Sequence, residues 1–204
     1  DELKEYLINS RGIQENKIKV IYHFSSSEES PRPENYNKEI IYTGNLGIPQ
    51  NIESFIKTLN NSSDQYKLRI YGSGSRYEDI KKMESENINV NPYTDRSEIL
   101  KHTKNSTFAL VSLSSSLTVE GFPGKTFDYL KMNKILIGYS NPSSGLARFI
   151  EKYNVGINID PENPNIDSAL KTLKNLDQIY QNIEDVNLKY ANLNTVSQQY
   201  LSLI

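Results

Sequence analysis

Apolar runs of strand length alternate with helically spaced segments through the middle of this chain, and that rhythm limits the fold more than any other feature. The runs are residues 39–43, 66–71, 88–91, 108–113, 134–139 and 155–159. Between them, 50–59, 76–83, 96–101, 125–131 and 144–153 place apolar residues three and four apart, with Ile52, Phe55, Ile56 and Leu59 as the clearest stripe. Several runs, such as Ile135-Leu136-Ile137, are apolar throughout rather than alternating. A strand of that kind needs cover on both faces, which is the condition of a parallel sheet between two helix layers. The expected fold class is therefore α/β: a doubly wound, Rossmann-like parallel sheet.

At 204 residues the chain is long enough for one well-buried domain with extra helices at its ends, and short for two. The formal net charge of −2 offers no global field for nucleic acid. No apolar stretch approaches the roughly eighteen residues of a transmembrane helix, and Asp1-Glu2-Leu3-Lys4 is acidic where a signal peptide is basic. A cytoplasmic location is expected. The absence of cysteine excludes a disulfide scaffold, thiol catalysis and thiolate metal ligation. His23 and His102 fall in separate elements without a ligand cluster, so no metal site is expected. Ser112 and Ser114–Ser116 lack the Gly-x-Ser-x-Gly setting of a hydrolase nucleophile.

The ends differ from the middle. Residues 1–24 read as a helix carrying Leu3, Tyr6 and Leu7, followed by a strand over 17–23. Residues 25–37, rich in Ser, Glu and Pro, have the composition of an exposed linker. The domain proper spans 38–178, and 179–204 form a C-terminal helical segment whose last helix is capped by Asn194-Thr195. Asp95 is the expected cap of the helix that starts at Arg96.

In an open parallel sheet, ligands bind beyond the carboxyl ends of the strands, and three loops there are candidates. Thr43-Gly44-Asn45-Leu46-Gly47-Ile48-Pro49-Gln50 follows the first strand. Its glycines allow backbone amides to approach an anion, although taken alone the loop reads more simply as a tight βα turn. Tyr71-Gly72-Ser73-Gly74-Ser75-Arg76 begins like a dinucleotide fingerprint, but Tyr77 stands where the third glycine belongs. A phosphate contact and a plain turn explain it equally. The third loop runs from Glu120 through Pro123-Gly124-Lys125-Thr126 to Asp128. Gly124-Lys125-Thr126 copies the tail of a P-loop, yet Val119 replaces its leading glycine, so a P-loop nucleotidase is rejected. What remains is a helix start with unpaired amides, one ammonium and one hydroxyl directed at an anion, and a carboxylate one turn on. A capped helix with solvated charges explains those residues as well.

Taken in order, the three loops resemble one family. Tyr42-Thr43-Gly44-Asn45-Leu46-Gly47-Ile48-Pro49-Gln50 is similar to the first strand-loop-helix of the donor domain in family-4-like, GT-B-fold retaining glycosyltransferases, especially those of bacterial surface-polysaccharide synthesis. Ile70-Tyr71-Gly72-Ser73-Gly74 resembles that family's second loop, and Pro123-Gly124-Lys125-Thr126-Phe127-Asp128-Tyr129-Leu130 its Pro-Ser-Lys-x-x-Glu-Tyr-Leu segment. Glu120 and Asp128, eight positions apart, match the wider Glu-x7-Glu pattern with Asp in second place. The resemblance covers residues 3–204.

The resemblance implies a role for each matched position. Glu120 and Lys125 would be the catalytic pair, Glu120 facing the donor sugar and Lys125 neutralising the diphosphate. Gly44, Asn45, Gly47, Gly124 and Thr126 would lie beside the same phosphates, and Asp128 would hold the ribose hydroxyls. Gly72, Ser73, Gly74, Pro92 and Tyr93 would surround the base. The donor would be a nucleotide-diphosphate sugar, with UDP the expected nucleotide and no metal or other cofactor. The acceptor would be a cell-surface glycan or lipid-linked glycan, placing the enzyme at the inner membrane face. Asn45 and Gln50 stand where many relatives carry Arg and Lys, which leaves the phosphate charge to Lys125. Such enzymes have two Rossmann-like domains, and this sequence resembles the second. Residues 1–24 would be the remnant of an N-terminal acceptor domain, supplied otherwise by a partner chain, and the isolated chain is expected to be inactive. The rival expectation is a non-catalytic nucleotide-binding or protein-interaction module of the same fold. A phosphorylation receiver is set aside because Thr43-Gly44-Asn45 supplies no acidic cluster.

Overall fold

The computed structural model describes residues 2–21, 25, 29–33, 36–115 and 123–203. Its centre is a parallel sheet of six strands: β1 (Glu39–Asn45), β2 (Lys67–Ser73), β3 (Ile88–Pro92), β4 (Phe108–Ser112), β5 (Ile135–Tyr139) and β6 (Gly156–Ile159). The spatial order is β3-β2-β1-β4-β5-β6. Every ladder is parallel, with Gly44 opposite Gly72, Gly72 opposite Pro92, and Ser112 opposite Tyr139. The helices are α1 (Glu2–Arg11), α2 (Ile52–Asn60), α3 (Tyr77–Lys81), α4 (Arg96–Asn105), α5 (Lys125–Lys131), α6 (Gly145–Tyr153), α7 (Ile166–Leu170), α8 (Leu176–Val186) and α9 (Leu193–Leu201).

The continuous apolar runs are the adjacent inner strands β4 and β5, buried along their whole length. Helices on both faces supply that cover. The predicted stripe of α2 faces inward, with Ile52, Phe55, Ile56 and Leu59 all buried. Helix α6 starts where the Ser144 hydroxyl accepts the Ala147 amide and stops at Asn154, which is left-handed with φ 47°. These devices hold βα units to the length that returns each strand to the same edge of the sheet.

Several expectations from the sequence need correction. The strand predicted over 17–23 does not form in its described part: Glu15–Lys17 is a 3-10 turn, and residues 18–21 join no ladder. Ile18 and Val20 alternate with Lys17 and Lys19, so the pattern of a strand is present without a strand beside it, among the described residues, to pair with. Asp95 makes no side-chain cap bond; the Thr94 hydroxyl bonds the Glu98 carboxylate beside it. The last helix is capped by Asn192, which accepts the Asn194 amide, and not by Asn194-Thr195. The boundary at 178 falls inside α8, whose Ile179, Tyr180, Ile183 and Val186 belong to the core.

The linker expected over 25–37 is not exposed throughout, since Ser25 and Ser30 are buried against α5. The Ser25 hydroxyl donates to Asp128 Oδ1 at 2.7 Å, and Asn133 Nδ2 donates to the Ser30 carbonyl at 2.6 Å. Arg32 then lies over the Tyr180 ring of α8, 4.6 Å from its centroid. Serine is polar enough for a linker yet small enough to pack: the Ser25 hydroxyl finds a partner, while at Ser30 the backbone does and the hydroxyl, among the described residues, does not.

Lys134, at the start of β5, is wholly buried. Its Nζ donates to the carbonyls of Lys104 and Ser106 at 2.9 and 2.7 Å, closing the C-terminal end of α4. Burial lowers its pKa to about 8. Among the described residues no helix is long and apolar enough to cross a membrane.

Candidate functional site

The connections from β1 and β4 leave the sheet in opposite directions, so their carboxyl ends flank a crevice at the point where the strand order reverses. The first glycine loop forms one wall. Gly44 has φ +129°, a backbone region that side chains rarely adopt. The Leu46 amide donates to the Ser73 carbonyl at 2.8 Å, and the Arg76 amide donates to the Leu46 carbonyl at 2.9 Å. Gln50 Oε1 accepts the Gly47 amide at 3.0 Å, and the Ser114 amide donates to the Pro49 carbonyl at 2.7 Å. Gln50 thus braces the turn.

The second loop is shaped by contact with the first. A Cβ on Gly72 would lie 2.3 Å from the Gly44 carbonyl oxygen, and one on Gly74, whose φ is +147°, 2.5 Å from the Leu46 carbonyl. Both glycines are required for backbone packing between the loops. Ser73 and Gly74 remain exposed on the outer side, as do Asn45, Pro92 and Tyr93. Because β2 separates β3 from β1, Tyr93 stands about 10 Å along the sheet edge from the end of β1.

The third wall is α5. Lys125 and Tyr129 are one turn apart on the same face, and both reach Thr43 at the end of β1. Lys125 Nζ donates to the Thr43 carbonyl at 2.9 Å and lies 4.1 Å from the Tyr42 ring centroid. The Tyr129 hydroxyl accepts the Thr43 amide at 2.8 Å and sits 3.1 Å from the Thr43 hydroxyl. Among the described residues no carboxylate pairs with the Lys125 ammonium. Burial lowers its pKa to about 8, and burial raises that of Tyr129 to about 12. A cation held by a carbonyl and a ring face, without a counter-charge, remains able to exchange those weak partners for an anion.

Other expectations at α5 change. The Thr126 amide donates to the Pro123 carbonyl at 3.0 Å and the Phe127 amide to the Gly124 carbonyl at 3.1 Å, so these N–H groups are not presented to a ligand. The Thr126 hydroxyl is wholly buried, which keeps it from a ligand, and among the described residues it has no hydrogen-bond partner. The cause is that Gly124 is itself helical (φ −57°, ψ −32°), so the first turn closes one residue early. Asp128 is half-buried and receives the Ser25 hydroxyl. Glu120 lies outside the described residues.

The structure therefore sets Gly44 against Lys125, with Asn45, Ser73, Gly74, Pro92 and Tyr93 exposed along the same edge, whereas Gly47 and Gly72 are buried and the Gly47 amide is taken by Gln50. Sequence reading missed Tyr42, Tyr129 and Ser25. The spacing of Lys125 and Tyr129 along one helix face could have revealed the second. Tyr42 looks like any aromatic in a buried strand, and Ser25 like linker filler. Among the described residues no group of three or more acidic or histidine side chains is arranged to hold a metal ion.

The model for "Glycosyl transferases group 1" matches residues 25–185. The lipopolysaccharide outer core galactosyltransferase WaaB, in its apo form, superposes with a TM-score of 0.71 at 18% identity over 98% of this chain and 59% of that one. HepE from Anabaena, in complex with UDP and glucose, gives 0.63 at 11% identity over 82% and 48%. AviGT4, a glycosyltransferase involved in avilamycin A biosynthesis, gives 0.61 at 13% identity over 82% and 51%. At such identities the likeness is one of fold, that of a GT-B glycosyltransferase domain. This chain spans about half to three-fifths of their length. No curated protein is significantly similar to it in sequence. The family match over most of the chain, with the crevice at the strand reversal, makes this protein a member of the group 1 glycosyltransferases.

Proposed function

We propose that this chain is the donor-binding half of a retaining glycosyltransferase that takes a sugar from a nucleotide diphosphate, UDP, and passes it to a bacterial cell-surface glycan. The observation that carries the reading is the Lys125 ammonium, which sits at the end of β1 with a carbonyl and a ring for company. A diphosphate in the crevice would give it the counter-charge it lacks among the described residues. Gly44, Asn45 and Gly47 border the same space, Asp128 would take the ribose hydroxyls, and Pro92 and Tyr93 the base. Glu120 is assigned to the donor sugar through its place in the motif.

In this reading the C1–O bond to the diphosphate breaks and the acceptor oxygen bonds the same face of C1. The departing phosphate accepts the acceptor's proton, and Lys125 stabilises the charge that develops on it. HepE was solved with UDP and glucose, and WaaB is a galactosyltransferase of lipopolysaccharide; these support UDP and a surface glycan as the choice here. The acceptor-binding half is assigned to a further domain or chain that residues 1–24 would adjoin, so these 204 residues are expected to bind donor without transferring sugar. Calorimetric titration with UDP, GDP, ADP and UDP-sugars tests the reading, alongside Lys125→Ala and Asp128→Ala. Saturable binding of one nucleotide, weakened by both substitutions, supports it. A folded chain that binds none would favour an interaction module of the same fold.

A further inference from the structure

We infer, resting on the donor reading above, that Tyr42 is a positioning residue for the donor site. Its ring seats the Lys125 ammonium and its hydroxyl fixes the Asn45 carbonyl, so one side chain sets the cation against the first glycine loop.

Tyr42 is wholly buried in β1, so a ligand cannot touch it and any effect on binding must pass through its neighbours. Lys125 Nζ lies 4.1 Å from the ring centroid, well inside the roughly 6 Å over which a ring face attracts a cation. The Thr43 carbonyl accepts the same ammonium at 2.9 Å, and a Cβ on Gly44 would come within 2.9 Å of it. The charge thus rests on three consecutive residues at the end of β1. A lysine stem is flexible, so the place of its charge is decided by what receives it. Here the carbonyl receives it from one side and the ring face from another, and the two together hold it at one point.

The far end of the same phenol holds the loop. The Tyr42 hydroxyl donates to the Asn45 carbonyl, three residues on, at 2.5 Å, and Gly44 bends the chain between them with its φ of +129°. The amide of that same peptide unit, on Leu46, donates to the Ser73 carbonyl at 2.8 Å. The peptide from which the glycine loop leaves the sheet is therefore fixed on both sides, once by Tyr42 and once by β2. Phenylalanine would fill the same space in a buried strand and leave the carbonyl without this donor. Burial raises the pKa of Tyr42 and of Tyr129, so both phenols near the ammonium stay neutral and keep their protons. Among the described residues no carboxylate pairs with Lys125.

The test is calorimetric titration of the full chain with UDP, GDP and ADP across a series of pH values on both sides of the Lys125 pKa of about 8. Wild type, Tyr42→Phe, Tyr42→Leu and Lys125→Met are compared, with thermal unfolding as a control on folding. Tyr42→Phe is expected to weaken the nucleotide about three- to ten-fold, the size of one hydrogen bond, and to keep the pH at which affinity begins to fall. Tyr42→Leu is expected to lower that pH by about 0.5 to 1, because an ammonium without its ring face gives up its proton more readily. Lys125→Met is expected to show no such decline. Nuclear magnetic resonance of the unliganded wild type reads the seat without any Tyr42 variant: the Lys125 methylene next to the ammonium, assigned by its loss in Lys125→Met, is expected upfield of the other lysines under the ring current. An undisplaced methylene, or a Tyr42→Leu pH profile equal to that of wild type, overturns the seat for the cation. Tyr42→Phe binding within about two-fold of wild type overturns the hold on the loop. In either case the donor site stands, provided wild type binds and Lys125→Met weakens it. If the folded wild type binds none of the nucleotides, the donor site and this role fall together.

Discussion

Lys125 and Thr43, 82 positions apart, are joined by an ammonium-to-carbonyl hydrogen bond of 2.9 Å that fastens the first turn of α5 to the end of β1. Tyr129 takes the amide of the same Thr43, so one peptide unit is gripped on both sides by one helix face. The ammonium thus rests on neutral partners, a carbonyl and a ring face.

That arrangement would make nucleotide binding pH-dependent. Burial holds the Lys125 pKa at about 8, and a diphosphate beside it would raise it. Binding then takes up a proton above pH 8, and affinity falls as pH rises, by up to about ten-fold per unit. Below pH 8 the ammonium is already charged and this dependence disappears. Titration between pH 7.5 and 9.5, above the phosphate's own ionisation near about 6, should show the decline in wild type and a flat, weaker response in Lys125→Met.

Tyr129→Phe would leave the Thr43 amide without its acceptor in a side-chain environment that is almost wholly buried. A loss of about 1–3 kcal/mol in unfolding free energy is expected, measured by urea denaturation. A loss below about 0.3 kcal/mol would mean that the grip on Thr43 contributes little.

Gly74→Ala combines a φ of +147° with a Cβ 2.5 Å from the Leu46 carbonyl oxygen. Backbone cannot yield as a flexible side chain would, so the two glycine loops must separate. Destabilisation of at least about 1–3 kcal/mol is expected together with a weakened nucleotide response. Equilibrium denaturation and the same titrations check both effects.

Lys134 gives a stability signature of its own. Its folded pKa of about 8 lies below the ordinary lysine value of 10.5, so the unfolded chain holds more protons between those values. Its contribution to stability therefore rises as pH rises from 8 towards 10.5. Relative to Lys134→Met, wild type should gain about 2 kcal/mol between pH 7 and 9.5, because the neutral amine still has two N–H bonds for the Lys104 and Ser106 carbonyls. Paired urea curves at the two pH values measure it; a constant difference would contradict the lowered pKa.

The sheet was readable because its signal is local and repeated: Ile135-Leu136-Ile137 announces a strand covered on both sides, and the Ile52, Phe55, Ile56 and Leu59 stripe announces its cover. Gly44, Gly72 and Gly74 marked the carboxyl edge, although Gly72 and Gly74 turned out to serve packing between loops. The state of the α5 start was not readable. Whether Gly124 lies inside or before the helix decides which amides remain unpaired, and no residue type nearby fixes that choice. Ser25 escaped for a different reason. Its partner is remote in sequence, and composition around it speaks only for solvent.

A helix as short as α5, seven residues, has little stability of its own in water. Ser25 fastens onto Asp128, Ser30 onto Asn133 just past the helix, and Arg32 onto Tyr180 of α8, and these contacts act as a splint. The geometry of the crevice is consequently not a property of the sheet alone. A chain cut between Pro31 and Pro33 would keep every strand and every glycine of the three loops and still lose the alignment on which the cation and the carboxylate depend.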